Sequence, residues 1–230
     1  MNVMRGARER AREEITEAIK DEARRQLAES GAAGLSLRAV ARELGMASSA
    51  LYRYYPSRDH LLTALIVDAY GALGAAAEYA LAALEEAPAV DRWRVVCHAV
   101  RDWALDHPHE YALIYGSPVP GYAAPQETTG PAARVALCLI TVVVDAEGDG
   151  ELRTPDDGLP PEVGQDAAAL GVLLGISLPA PVLARLIAAW SQLFGLVGFE
   201  LFGQFTGVVK AREAFFDHAV TRLAESVGLT

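Results

Sequence analysis

Cysteine is almost missing from this chain, which holds only Cys97 and Cys138. They form no CxxC pair and both lie in apolar, helix-like surroundings, so neither a zinc site nor a redox couple is suggested. The imidazoles at 98, 107 and 109 lack the i, i+4 spacing that puts two metal ligands on one helix face, so no metal and no cofactor are expected. Asp145-x-Glu147-x-Asp149-Gly150 imitates a calcium loop. Its twelfth residue is Asp156 rather than Glu, and Pro155 disturbs the exit. Long hydrophobic runs are also missing. The longest, such as Val135–Val144, are too short to span a bilayer, so no membrane partner is expected. The start, Met-Asn-Val-Met followed by Arg, has no apolar core of a signal peptide. These absences together predict a soluble, reduced, cytoplasmic protein. No nucleophile elbow, phosphate-cradling glycine loop or plausible triad occurs, which weighs against an enzyme.

What is present favours helix. Hydrophobic residues make up 52% of the 230, enough for a sizeable core, and Ala is very common while β-branched runs are few. The net charge of −10 at first argues against nucleic acid. Its distribution reverses that impression. Residues 1–60 carry eleven Lys and Arg against nine Asp and Glu, so they are positive by two and the remainder is negative by twelve. Phosphate neutralisation is local, so a basic head on an acidic body can bind DNA.

Periodicity predicts a first helix over 8–30, with Ile15, Ile19, Ala23 and Gln26 or Leu27 on one face, stopped by Gly31 and Gly34. A short helix follows from Ser36, as N-cap, to Leu44, with Gly45 at its end. A third is expected from about Ala47 to Tyr55. Pro56 breaks the pattern and Ser57 caps a long helix from Asp59 to Leu84, with Leu61, Leu62, Leu65, Ile66, Ala69 and Leu73 as its buried stripe. Further helices are expected over 90–106, 131–145 and 167–176, from Pro179 or Pro181 to Gly203, and over 210–227, while His107-Pro-His-Glu-Tyr reads as a turn into a short helix ending near Tyr115. Residues 116–125 read as a Pro- and Gly-rich loop. Residues 145–166 are rich in Asp, Glu, Gly and Pro and read as a solvated, mobile loop.

Residues 35–62 carry the function. Two short helices meet at Gly45, which takes a positive φ at little cost. Val40, Ala41, Leu44, Met46 and Leu51 are spaced to close a small core between them, with Ala41 small where the helices approach. That is helix-turn-helix geometry, whose second helix lies in the major groove. The stretch closely resembles the TetR family of regulators: a capped helix at Ser36, Gly45 in the turn, then Leu51-Tyr52-Arg53-Tyr54-Tyr55, Pro56-Ser57 and Arg58. The match covers roughly residues 12–65. Residues 107–125, beginning His-Pro-His-Glu-Tyr, and 193–203, Leu-Phe-Gly-Leu-Val-Gly-Phe-Glu-Leu-Phe-Gly, resemble a C-terminal domain type called WHG that occurs in part of the family.

The resemblance implies an all-α fold: a three-helix helix-turn-helix domain over 1–58 and a helical ligand-binding and dimerisation domain over 59–230. It implies a DNA-binding regulator, for the family most often a repressor, released from a palindromic operator by a small hydrophobic or aromatic ligand. A ligand-independent or activating regulator of the same fold, and a small-molecule-binding enzyme, are the alternatives. By resemblance Ser48, Ser49, Tyr54 and, on the preceding helix, Arg38 face bases. Tyr52 and Arg58 match backbone-contacting positions, Ser36 adds a phosphate contact, and Arg53 lies on the same helix with simple solvation as its alternative. Arg5, Arg8, Arg10 and Arg12 are expected to trail near the backbone or the minor groove. Many members have Ser or Thr where this chain has Ala47, so Ser48 is an alternative cap.

The resemblance implies that the last two long helices form a homodimer. Residues 182–203 are apolar on almost every face, and 210–227 adds Phe215, Phe216, Val220, Leu223 and Val227. An effector cavity is expected to draw on Trp93, Trp103, Tyr111, Tyr115, Tyr122 and Phe194, with His98 and His107 as polar handles. Taken alone, each of these residue types more often fills core than contacts a ligand.

Overall fold

The computed structural model describes residues 2–154 and 158–230. Among them it forms ten α-helices: α1 Asn2–Gly34, α2 Leu37–Glu43, α3 Ser48–Leu51, α4 Arg58–Ala82, α5 Ala89–Asp106, α6 Pro108–Tyr115, α7 Thr129–Gly148, α8 Pro161–Leu174, α9 Ala180–Leu201 and α10 Arg212–Val227. No strand forms among the described residues beyond a single bridge between Leu152 and Leu229. The all-α class follows from the Ala-rich composition and the 3.6-residue periodicity.

The chain packs as two compact units. One holds the residues up to Gly71 together with His107–Pro131, and the other holds Ala72–Asp106 and Ala132–Thr230. α4 therefore contributes to both. A boundary drawn at residue 58 follows sequence order, whereas these units follow packing. The reason is visible at α6, which lies on α1. Leu113, Val119 and Tyr122 rest on the core formed by Ile19, Leu27, Val40, Leu51, Leu61 and Leu65.

In the first unit α1 begins at Asn2, so the arginines expected on a trailing arm belong to a helix instead. Helix propensity explains this, because residues 7–13 contain only Ala, Arg and Glu. α1 breaks at Gly31 (φ 67°, ψ 175°) before a last turn to Gly34. Its side is pinned to α4 by Lys20 and Arg24, both 2.8 Å from Asp68. Burial works against the Lys20 charge, but its bonds to Asp68 and Glu17 outweigh that and hold its pKa up.

The second unit is built on α5, α9 and α10, with α8 packed against α9. The stripe Trp93, Val96, Val100 and Trp103 is buried, as are Leu186, Leu193 and Val197 of α9. α10 spends its apolar side here. Phe216, Val220, Leu223 and Val227 are buried within the unit and leave only Phe215 substantially exposed. The expectation that all five extend a dimer face is corrected accordingly. The expected loop 145–166 is also shorter at both ends: α7 runs to Gly148 and α8 starts at Pro161. Residues 155–157 of that loop, with the Pro155 and Asp156 of the calcium-like pattern, lie outside the described residues. Asp145, first in that pattern, is on α7 and pairs with Arg92 at 2.7 Å.

Three helices, Arg58–Ala82, Gln126–Gly148 (α7 with the 3₁₀ turn before it) and Ala180–Leu201, are long and apolar enough to cross a membrane by length and composition. Counting unbroken apolar runs missed them, because single charged or polar residues, such as Asp68 in the first and Arg185 in the third, interrupt the runs while the mean hydropathy stays high.

Candidate nucleic-acid interface

The helix-turn-helix is built locally. Ser36 sits at the N-cap of α2 in extended conformation, and its Oγ accepts from the Ala39 N–H at 3.4 Å. The α2 end is a Schellman closure: Met46 N–H donates to Ala41 O at 2.8 Å and Gly45 N–H to Arg42 O at 3.1 Å. Gly45 takes φ 63°, the left-handed region this closure requires. α3 then begins at Ser48, with Ala47 in the cap position and no side-chain cap. After Leu51 it tightens: Arg53 N–H donates to Ala50 O and Tyr54 N–H to Leu51 O, three residues back, until Tyr55. The reading segment thus reaches Tyr55 as expected, although only its first turn is α-helical.

Burial divides α3 and its extension into an anchored side and an open side. Leu51 is fully buried and Tyr55 nearly so, and burial raises the Tyr55 phenol pKa. Ser48, Ser49, Tyr52 and Arg53 are exposed, Tyr52 to 42%. Tyr54 is half-buried, with the guanidinium of Arg12 5.6 Å from its ring centroid. Arg38 is exposed on α2. Short donors, one aromatic and two guanidinium groups therefore stand on a surface held rigid from behind. Donors of these kinds are the ones that base edges and phosphate oxygens accept.

Arg58 has a task that sequence reasoning did not foresee. Its Nη2 group donates to Ala32 O at 2.7 Å and its Nε to Leu35 O at 3.2 Å. It thereby bonds main-chain carbonyls where α1 ends and ties that end to the start of α4. Gln26 was also missed as a polar device. It is 7% exposed, donates to Glu22 Oε1 at 2.9 Å, and accepts weakly from the Ser36 N–H at 3.4 Å. Its place on the apolar face of α1 was the only available signal.

The expected effector residues fall in both units. In the first, Tyr111 is fully buried and stands 5.1 Å from Tyr115, which meets Tyr70 edge-on at 5.8 Å. Burial raises the pKa of all three phenols. The Tyr122 hydroxyl meets Thr63 Oγ1 at 2.9 Å. His107 is exposed at the N-cap of α6. In the second unit Trp93 is fully buried and its indole N–H donates to Val220 O at 3.1 Å. Trp103 is 8% exposed. His98 Nε2 lies 3.0 Å from Asp217 Oδ1, with the ring edge-on to Phe216. Phe194 meets Trp190 edge-on at 5.8 Å. The second unit also has an open groove of about 840 Å³ along α4 and α7, bordered by the Arg134–Glu78 and Arg92–Asp145 pairs. None of the eight expected residues lines it.

An exposed reading segment on a capped helix-turn-helix defines a DNA-binding regulator. Comparison with known proteins places it more closely. Residues 19–65 match the model for bacterial regulatory proteins of the tetR family. Residues 93–223 match that for the tetracyclin repressor-like C-terminal domain, a span that includes both segments resembling the WHG type. The HTH-type transcriptional regulator Rv1816 of Mycobacterium tuberculosis is 39% identical over 227 residues, covering 96% of this chain and 95% of its own. A crystal structure of the regulatory protein SCO4313 is 37% identical with TM-score 0.76, covering 94% of this chain and 98% of that one. The TetR family regulator PfmR from Thermus thermophilus, at 19% identity and TM-score 0.56 over 89% of this chain and 97% of its own, shares the fold. The chain belongs to the TetR family of transcriptional regulators and is a DNA-binding protein, not an enzyme.

Proposed function

We propose that the chain is a homodimeric repressor that reads a palindromic operator through α3 and leaves it when a small, largely apolar effector binds. The observation that carries the DNA reading is the division of α3 and its extension: Leu51 and Tyr55 anchor it while Ser48, Ser49, Tyr52 and Arg53 stand open. Arg38 and Arg53 suit guanine O6 and N7, and the two serines are permissive neighbours. One head reads too few base pairs for specificity, and two heads about a two-fold axis read half-sites one turn apart.

An apolar surface on α8 and α9 supports the dimer. Val172 and Leu173 are 83% and 80% exposed, and Ile187 and Phe199 are exposed on α9. Large apolar side chains left open to solvent on both helices favour a partner surface. The effector reading is supported by the aromatic pair Trp190 and Phe194. The Trp190 indole N–H is buried without an acceptor among the described residues, a deficit that a ligand carrying a hydrogen-bond acceptor would relieve.

Selection from a random duplex library at fixed, near-physiological salt tests the reading, with Arg53→Ala and Arg38→Ala alongside. An enriched palindrome, relaxed at defined positions in the variants, is the expected result. A library that emerges unenriched would overturn it. Effector candidates are then screened for release of the selected duplex, where a coupling of about 1–3 kcal/mol is expected.

A further inference from the structure

The apolar stripe that seats α1 in the first unit does not stop where the core stops. Ile15, Ile19 and Ala23 recur at intervals of four on one face, and Ile19 and Ala23 are fully buried. Continued towards the N-terminus, the same face carries Arg12 and then Arg8, three and seven residues before Ile15. Side chains at this spacing line up along a helix. Glu13 and Glu14 fall on other faces. The stripe therefore changes from apolar to cationic as it leaves the core, on the side where the reading segment lies. Arg12 shows the result directly, because its guanidinium stands 5.6 Å from the centroid of the Tyr54 ring. Arg12 itself is exposed, while Tyr54 is half-buried and held by the N–H bond to Leu51 O.

We propose that Arg12, seated on the Tyr54 ring, is a DNA phosphate-binding residue, so that α1 supplies a phosphodiester contact whose position is set by the reading segment. This rests on the DNA-reading function proposed above. A guanidinium stacked on an aromatic face keeps its edge N–H donors free, and those are the donors that phosphate oxygens take. The ring removes much of the rotamer freedom that an exposed arginine loses on binding, so the contact is prepared before DNA arrives. It carries no sequence information of its own and fixes register. Arg8, one turn further out, lies on the same track.

The test is the salt dependence of binding, read from 50 to 200 mM for the selected duplex and for a scrambled duplex of equal length. Arg12→Ala should lower the slope of log K against log salt by about one for each reading head, so that over that range affinity falls about threefold less per head and about tenfold less for a two-headed dimer. Affinity should drop by a similar factor for both duplexes. Tyr54→Leu should lower the slope by the same amount, and the double variant should lower it no further. Tyr54→Phe keeps the ring and should keep the slope. Circular dichroism confirms that each variant is folded. An unchanged slope in Arg12→Ala, or additive effects of Arg12→Ala and Tyr54→Leu, overturns this proposal alone. A wild-type chain that binds neither duplex overturns the DNA reading as well.

Discussion

At the scale of single residues the strongest energetic statement concerns Arg101 and Glu200. Arg101 Nε and Nη2 each lie 2.7 Å from a different Glu200 oxygen, and the side chains are only 11% and 6% exposed. Phe216 packs 5.4 Å from the same guanidinium. The bond to Glu200 raises the Arg101 pKa against the opposing effect of burial. Such a pair gains little over apolar packing, but removing one partner strands a buried charge. Glu200→Ala should therefore cost about 3–5 kcal/mol in urea denaturation, and Arg101→Met with Glu200→Leu should recover most of it. Asp217 presents the opposite case, since it is more than a third exposed. Its bonds to His98 and then Arg94 hold its pKa below the usual 3.8. A lowered carboxylate pKa stabilises the fold above the unfolded value and loses that contribution as pH falls through the folded one. Wild type should thus exceed Asp217→Asn by at most about 1 kcal/mol at neutral pH. The gap should close below pH 4 in melts across pH 3–7. Neither pair was legible in the sequence. Arg101 and Glu200 are 99 positions apart, and nothing in an apolar stretch such as 193–203 says which distant cation its one carboxylate meets.

The helices were more legible, because their signals are local. The α4 stripe from Leu61 to Leu73 is buried as its spacing predicts, and Ser36, Gly45 and Ser57 cap or close their helices as expected. The misreadings arose where composition hid a local start signal or where tertiary contacts decide. α8 begins six residues earlier than expected, because Pro161 at its first position prepares a helix that composition had assigned to a loop. α6 sits with α1 for reasons of packing that no window of sequence contains. The reading surface was legible as a motif, but its support by Gln26 and Arg58 was not, since both act through main-chain atoms brought close by folding. Gly45 allows a clean test of the turn. A Cβ there would meet nothing within 4 Å, so Gly45→Ala should cost only the left-handed backbone conformation, about 1–2 kcal/mol. Gly45→Asn should cost less, because Asn tolerates that region. A loss in DNA affinity larger than the loss in stability would show that the turn angle, beyond the fold, sets the reach of α3.

For the whole molecule, charge and apolar surface have to be considered together. The first sixty residues are positive by two and the rest negative by twelve, so the charge balance alone draws only the head to DNA. The acidic remainder nevertheless carries the largest open apolar side chains of α8, Val172 and Leu173. If this surface joins two copies, aspartates there will be tolerated by the single chain, because both positions are open to solvent in it. They will not be tolerated by the dimer, where each would bury an unpaired charge. Val172→Asp with Leu173→Asp should keep the helical content and the melting of the single chain while halving the mass in sedimentation equilibrium. Affinity for the selected palindrome should fall towards the non-specific level, about 10³-fold or more. Tyr79→Asp is the matched control, since Tyr79 is 81% exposed on α4 within the same unit and should leave both mass and affinity unchanged. A double variant that still sediments as the wild type would move the partner surface elsewhere. A monomeric variant that kept full affinity would show that one head reads the operator unaided, and the palindrome would then have no physical basis.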